Sequence, residues 1–493
     1  MKVSTRGQIL LPLMAASLVV LSGTACHQAV PLGALVLAQS PTRAAGIAPA
    51  DRLDLEHPNG SRIVLLDTSF DPKHVRELSA GLAAAGDPVV AYDGQSVFFA
   101  GKASAADEWQ IYQENLATGR RQQLTAQPGG AMSPALLSNG SLIFASPVPR
   151  IHGTNSPEPP AALYVQPPDG APRQLTFSAG SLTDPTLLAD GRILFVATPP
   201  ESTNFGAAGP ALFTINSDGT EVSAFAEQQE PSVRIERPRQ LIDGRVIYLL
   251  TQRNSPVRNG LAESVRMARP FLSRAPLFPD LPARIHSVQP AGNGDLLACA
   301  EFQQDPQASL ATRALFRISP TATALGAPLF LDQAWNSCEA VELAPQVKPS
   351  GRISSMDLTK QTGHILCLDA NYTSDAPSSG GAIPTAVRVR VIAEITPGNL
   401  CALGELPVQA DGSFMAEVPA NVPLGFDTLD ANGRVLRHET PMLWVRPGEN
   451  RSCLGCHEPR NRSPRNHRPL AVSVPVPCLS LSNAALAQRK GDR

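Results

Sequence analysis

The chain has 493 residues with 43% hydrophobic and 17% charged residues and a formal net charge of −2. At ~100–200 residues per domain this length predicts two or three domains, and the balance of charge excludes a disordered polyelectrolyte and a global basic field for nucleic acid. Pro 47 and Gly 37 exclude a helix-dominated protein, because proline blocks helix interiors.

The first 25 residues read as a secretory signal. Lys2 and Arg6 precede an apolar run from Ile9 to Leu21, and Gly23-Thr24-Ala25 follows. The expected location is outside the cytoplasm, in the periplasm or at the outer membrane or cell surface. The apolar run is shorter than the ~18–20 residues that span a bilayer, so no transmembrane helix is expected in the mature chain. Cys26 directly after Ala25 is a candidate lipidation site and hence a membrane tether, although Gly23 stands where lipoprotein signals usually carry a larger aliphatic residue. Residues 26–59 read as a tether without a core pattern.

From about residue 60 the sequence repeats. Asp87-Pro88, Ser133-Pro134, Asp184-Pro185 and Arg237-Pro238 are each followed by a glycine six residues after the proline, at Gly94, Gly140, Gly191 and Gly244, and then by an apolar strand. A weaker copy has Pro290 and Gly294, and Thr362-Gly363 opens a candidate sixth. The glycines are 46, 51, 53, 50 and 69 residues apart. Between them Gln123-Leu124-Thr125 recurs as Gln174-Leu175-Thr176. Proline is read as opening a strand and Asp/Asn-Gly as turning into the next. Four short strands per ~50 residues predict β-propeller blades, six of them over residues 60–375; a sandwich with chance turns would not repeat the Pro-to-Gly spacing. These blades resemble the TolB-like propellers.

After a Ser/Gly/Pro linker at 373–384, strict alternation at Val387–Val391 begins a second, small β-sandwich-like domain over 385–480, followed by a tail at 481–493. The fold class expected is therefore all-β. Near the end of the second domain stands Cys453-Leu454-Gly455-Cys456-His457. C-x-x-C-H is the c-type haem attachment spacing: two thiols reach the two vinyl groups, and the adjacent imidazole serves as an axial iron ligand. His467 and Met442 are candidates for the second axial position, with His438 and Met415 as further ones. Arg446, Arg451, Arg460, Arg462, Arg465 and Arg468 surround the motif, either to meet haem propionates or an anionic partner or as a solvated basic loop. Two other readings stay open at this point: zinc held by Cys453, Cys456, His467 and Cys478, and a C-x-x-C disulfide. Cys299, Cys338, Cys367 and Cys401 read as single buried thiols, or as holding one disulfide among them that the sequence cannot choose.

The run Trp444-Val445-Arg446-Pro447-Gly448-Glu449, then Arg451-Ser452-Cys453, and the preceding Asp411-Gly412-Ser413-Phe414 and Leu429-Asp430-Ala431-Asn432-Gly433 look like the middle domain of hydrazine synthase alpha subunits. The resemblance implies an N-terminal six-bladed propeller and a haem anchored by Cys453 and Cys456. It also implies a redox role, either electron transfer with a redox partner or membership of a haem-bearing complex. Where the family is understood to place an iron-binding tyrosine, four residues after the motif histidine, this chain has Asn461, and there is no second C-x-x-C-H. The resemblance therefore does not carry hydrazine synthesis itself to this chain; any activity would be that of a haem-dependent oxidoreductase. A rival from another class is a binding or scaffold propeller whose C-x-x-C-H holds zinc or a disulfide.

Overall fold

The computed structural model describes residues 33–42, 56–69, 73–148, 160–200, 209–253, 260–302, 312–374, 384–396, 399–456, 458 and 463–482. The signal-like residues 1–25, Cys26 and His457 lie outside the described residues, as does most of the 373–384 linker. No helix among the described residues is long and apolar enough to cross a membrane.

Antiparallel sheets follow one another along the chain. The first holds β1 (Leu35–Pro41), β2 (Arg62–Asp67) and β3 (His74–Glu77). Next come β4 (Ala84–Val90), β5 (Ser96–Lys102), β6 (Gln110–Asn115) and β7 (Arg121–Gln123), then β8 (Met132–Leu136), β9 (Leu142–Pro147), β10 (Ala161–Gln166) and β11 (Arg173–Gln174). The fourth has β12 (Ser181–Leu187), β13 (Ile193–Thr198), β14 (Ala211–Ile215) and β15 (Ser223–Ala224). The fifth has β16 (Val233–Gln240), β17 (Arg245–Gln252), β18 (Leu261–Arg266) and β19 (Ala275–Pro276), and the sixth β20 (Ile285–Pro290), β21 (Leu296–Phe302) and β22 (Thr312–Ile318). β23 (Trp335–Glu342) then returns to pair with β1. The leading strands β4, β8, β12, β16, β20 and β23 touch in succession, and β23 touches β4, so the sheets close a ring. This is the propeller arrangement that the repeat predicts.

Two local features explain the repeat. Each Asp/Asn-Gly lies in the turn from the leading strand to the second: the amides of Gly94, Gly140, Gly191 and Gly244 each donate to the carbonyl three residues earlier at 2.9 Å. The glycines have φ of +71 to +84°, a region that favours glycine. The prolines, however, do not open the strands. They sit inside β4, β8, β12 and β16, where the register slips between Gly86 and Val89, Met132 and Ala135, Thr183 and Thr186, and Glu236 and Arg239. Proline lacks a ladder donor, so it is tolerated in a strand at a bulge or a sheet edge, and these strands offer both. Thr125 and Thr176 take the Ile111 and Leu163 amides at 2.8 and 2.9 Å, which accounts for the recurring Gln-Leu-Thr.

Two expected boundaries are corrected. The stretch 26–59 is not coreless, because β1 lies between β2 and β23 and is buried on both faces. Val36 and Ala38 join one core cluster, and Leu35 and Leu37 another. A strand buried on both faces reads as an uninterrupted apolar run rather than an alternation, which is why it passes for a tether. At the other end, Thr362-Gly363 does not begin a sixth blade. β24 (Thr362–Cys367) pairs with β27 (Phe414–Pro419) and, in parallel, with β30 (Asn450–Cys453). Its opposing sheet has β25 (Arg388–Thr396) between β26 (Asn399–Pro407) and β28 (Leu424–Leu429), with β29 (Val435–Leu443) outside. The second domain thus starts before the linker, and Ile365, Cys367, Val391, Phe414, Val418, Leu424 and Cys456 share its core.

Candidate functional site

The motif leaves the sandwich at the end of β30. Parallel pairing sets Cys453 beside Cys367, and the Leu368 amide donates to the Cys453 carbonyl at 2.9 Å. Cys453 is half-buried, whereas Cys456 turns into the core, where its thiol is hydrogen-bonded with that of Cys367. That contact, and then burial, push the Cys367 thiol well above its ordinary value, and burial also raises that of Cys453. These thiols are held neutral and are poor nucleophiles as they stand. Gly455 presses on the loop after β24: a Cβ there would lie 2.2 Å from the Tyr372 carbonyl oxygen, so no other residue fits the turn between the two cysteines without a shift.

The same loop walls a cavity of about 700 Å³, lined by Leu368, Asp369, Asn371 and Tyr372 on one side, Asp411 and Gly412 below, and Ser463–His467 opposite. The volume lies within the ~300–1,000 Å³ of cofactor and ligand pockets. Tyr372 contributes a buried hydroxyl without a hydrogen-bond partner. His467 is held at the wall, Nε2 3.1 Å from Asp411 Oδ2 and Nδ1 3.0 Å from the Arg465 carbonyl. Asp411 also accepts from the Leu470 amide at 2.7 Å and from the Ser413 amide and hydroxyl. Burial opposes its ionisation, but these hydrogen bonds together outweigh it and hold the carboxyl down at about 2.

A carboxyl depressed in the folded state stabilises above its unfolded value of ~3.9, and that contribution is lost as pH falls through the folded value. The 463–473 segment is therefore expected to come away from the sandwich as pH falls from about 4 towards about 2. Asp411→Ala should release it at neutral pH, read as faster hydrogen exchange at the Leu470 amide. Unchanged exchange in that variant would contradict the assignment.

Several expected ligands are placed elsewhere. Met442 packs into the propeller: its sulfur accepts from the Ser178 hydroxyl at 3.3 Å and it lies against Gly180. It is used in the domain interface and is not an iron ligand candidate here. His438 is bound to Asp427 at 2.6 Å on the opposing sheet, and Met415 lies on β27. Cys478 bridges to Glu417 on the far side of β27. With strands ~4.8 Å apart, Cys478 stands three strand spacings, about 14 Å, from β30 and further still from Cys453, three residues along it, so the four-ligand zinc set does not assemble.

Arg446 and Arg451 are neither a solvated loop nor free for propionates. Both are buried and face the propeller, as does Trp444, whose Nε1 donates to the Gly219 carbonyl at 3.0 Å. Arg446 reaches Asn421 Oδ1 at 2.7 Å and lies over Phe177, while Arg451 donates to the Val222 carbonyl. Glu449 accepts from the Glu221 amide of the propeller at 2.8 Å and from the Arg446 amide at 2.7 Å. The Trp-Val-Arg-Pro-Gly-Glu run is thus the clamp that fixes the motif domain to the ring. Cys367, Tyr372 and Asp411 were not legible as site residues, because only the parallel pairing of β24 with β30 and the loop that follows bring them to the motif.

Residues 373–458 match the family described as the hydrazine synthase alpha subunit middle domain. Hydrazine synthase subunit alpha of Kuenenia stuttgartiensis is 32% identical over 112 residues, which is 23% of this chain and 14% of that protein. The match therefore spans a small part of that relative's length. The Kuenenia stuttgartiensis hydrazine synthase structure superposes with a TM-score of 0.76 at 17% identity, covering 90% of this chain and 72% of that one. TolB from Acinetobacter baumannii aligns over 55% of this chain and 61% of that one at 14% identity, with a TM-score of only 0.36. Residues 373–458 are thus similar to the hydrazine synthase alpha subunit middle domain, within a chain that shares the fold of hydrazine synthase over nine tenths of its length.

Proposed function

We propose that the chain is an exported protein with one covalent haem c, acting in electron transfer or as a haem-bearing subunit of a redox complex, built on a six-bladed propeller. Cys453 and Cys456 would be the thioether anchors and His457 an axial ligand; His467 could take the second axial place only by giving up one of the hydrogen bonds that occupy both its ring nitrogens. The observation that carries this reading is the Cys453–Cys456 pair at the end of β30, with Gly455 packed on the loop that walls a cavity of about 700 Å³. Two thiols at the attachment spacing, beside a cavity within the volume range of cofactor pockets, fit a site made for a haem. A bound haem c supplies a one-electron redox centre. The chain's own part is to hold it: the clamp of Trp444, Arg446 and Glu449 fixes the motif domain on the ring, and Asp411 orients His467. The signal-like N-terminus supports export, which haem c attachment requires in bacteria, and Cys26 is the site for a lipid tether if one is added. Partners would be redox proteins or other subunits rather than nucleic acid.

One observation favours a second reading. The hydrogen-bonded thiols of Cys367 and Cys456 are placed for a disulfide in an oxidising compartment, which would suit a binding or scaffold protein. Expression with the haem-c maturation machinery, followed by alkylation of the denatured protein and mapping of which cysteines are labelled, separates the two. Haem attachment consumes Cys453 and Cys456 and leaves Cys367 free; the disulfide consumes Cys367 and Cys456.

A further inference from the structure

A second constellation lies at the centre of the ring. Asp87, Ser133, Asp184 and Arg237, each directly before a proline, come from four successive leading strands and all have left-handed backbone, with φ of 52, 50, 52 and 49°. Such φ is uncommon for residues other than glycine, and the following proline restricts them further. The same strained conformation therefore recurs four times around the ring. The four side chains line one void of about 10 Å³, room for a single water-sized particle.

The segment ahead of β2 enters this ring with Glu56 and His57, both buried. Glu56 Oε2 lies 2.5 Å from Arg237 Nη2, and His57 Nε2 lies 3.5 Å from Asp87 Oδ1. One ligand atom each from Glu56, His57 and Asp87 falls within 4.8 Å of the others. His57 is 0% exposed, yet neither of its ring nitrogens has a hydrogen-bond partner. A buried imidazole left in this state loses hydration at both nitrogens without compensation. Charge adds to the imbalance. The carboxyls of Glu56, Asp87, Asp184 and Glu339 are buried, and burial pushes that of Glu339 up towards its neutral form. Among the residues that line the void or pair with these carboxyls the guanidiniums are Arg237 and Arg239, so the surplus comes from Glu56, Asp87 and Asp184.

A protonated His57 would lower the negative surplus but would need two acceptors, and the Asp87 oxygen at 3.5 Å is the neighbour it has. A divalent ion resolves both problems, taking a lone pair from a neutral imidazole and offsetting the surplus carboxylate charge. One imidazole with two carboxylates suits Mn²⁺, Fe²⁺ or Zn²⁺ better than the all-oxygen shells of Ca²⁺ or Mg²⁺. We propose that Glu56, His57 and Asp87 bind a divalent first-row transition-metal ion at the propeller axis, pinning the segment before β2 into the ring. This site is separate from the C-x-x-C-H motif and does not depend on haem there.

The test uses the full chain, stripped with a chelator and titrated with Mn²⁺, a hard ion that does not seek the cysteines. The expected result is one bound equivalent by electron paramagnetic resonance, a raised melting temperature, and spin-echo modulation from one imidazole nitrogen. Asp87→Asn suits the left-handed backbone, which asparagine tolerates, and His57→Gln keeps a polar side chain. Each should weaken Mn²⁺ binding by at least the ~10–100-fold that loss of an outer-shell partner costs, with covalent haem unaffected. No bound Mn²⁺ at millimolar concentration, or bound Mn²⁺ without imidazole modulation, would overturn the proposal. So would wild-type affinity in both variants. Where a variant fails to fold, the modulation spectrum of the wild type alone decides.

Discussion

Trp444→Ala is expected to destabilise the protein by about 3–5 kcal/mol, the range for truncating a buried large aromatic. The indole is 0% exposed and packs with Leu175, Ile215 and Val222 of the propeller, although Trp444 itself follows the last strand of the sandwich's outer sheet. Its Nε1–H donates to the Gly219 carbonyl, so the substitution also strands a buried acceptor. Further along the same run, Glu449 holds the Glu221 amide and Arg451 the Val222 carbonyl, and these contacts rely on the same alignment. The loss should therefore fall on the coupling between the domains. In denaturant the wild type is expected to unfold in one transition and Trp444→Ala in two, as the ring and the sandwich lose their shared core. A variant that unfolds in a single transition at the wild-type midpoint would show that Trp444 is not the clamp.

The second large effect concerns the motif. Cys453→Ala and Cys456→Ala should each leave one thioether at most, and the double variant should carry no covalent haem. Cys367→Ala is the informative control. Cys367 touches Cys456 in the structure but is not part of the C-x-x-C spacing, so haem attachment should survive its loss while any disulfide vanishes. Should Cys367→Ala abolish haem attachment as completely as Cys456→Ala, the thiol pair rather than the C-x-x-C spacing would be the functional unit.

The propeller was legible because its punctuation is local. Gly94, Gly140, Gly191 and Gly244 are required by positive φ at a turn, a demand that shows at a fixed offset in the sequence. The prolines were located correctly but assigned the wrong task, since a bulge in a leading strand and a strand start both tolerate a missing amide. What the sequence hid was non-local. β1 pairs with β23 across some 300 residues, Leu35 opposite Glu342, and nothing near residue 35 records that partner. β24 carries a Gly and an apolar run like a blade, yet its partners are β27 and β30. Trp444, Arg446, Glu449 and Arg451 stood out as part of a family resemblance near the cysteines, and the two arginines read either as partners of propionates or an anionic partner or as a solvated basic loop. Their burial against Gly219, Glu221 and Val222 gives them a structural task instead. At the site, Cys453 and Cys456 could be found from spacing alone. The cavity wall could not, because Tyr372, Asp411 and His467 come from three separate segments of the chain.

The central claim, a covalent haem on Cys453 and Cys456, is tested most directly by purifying the full chain from cells with the haem-c maturation system. The denatured protein is then stained for haem and its reduced pyridine spectrum recorded. The account predicts one haem per chain that stays with the polypeptide through denaturation and is lost in the Cys453→Ala/Cys456→Ala double variant. A colourless wild-type chain, with Cys367 and Cys456 joined as a disulfide, would contradict it.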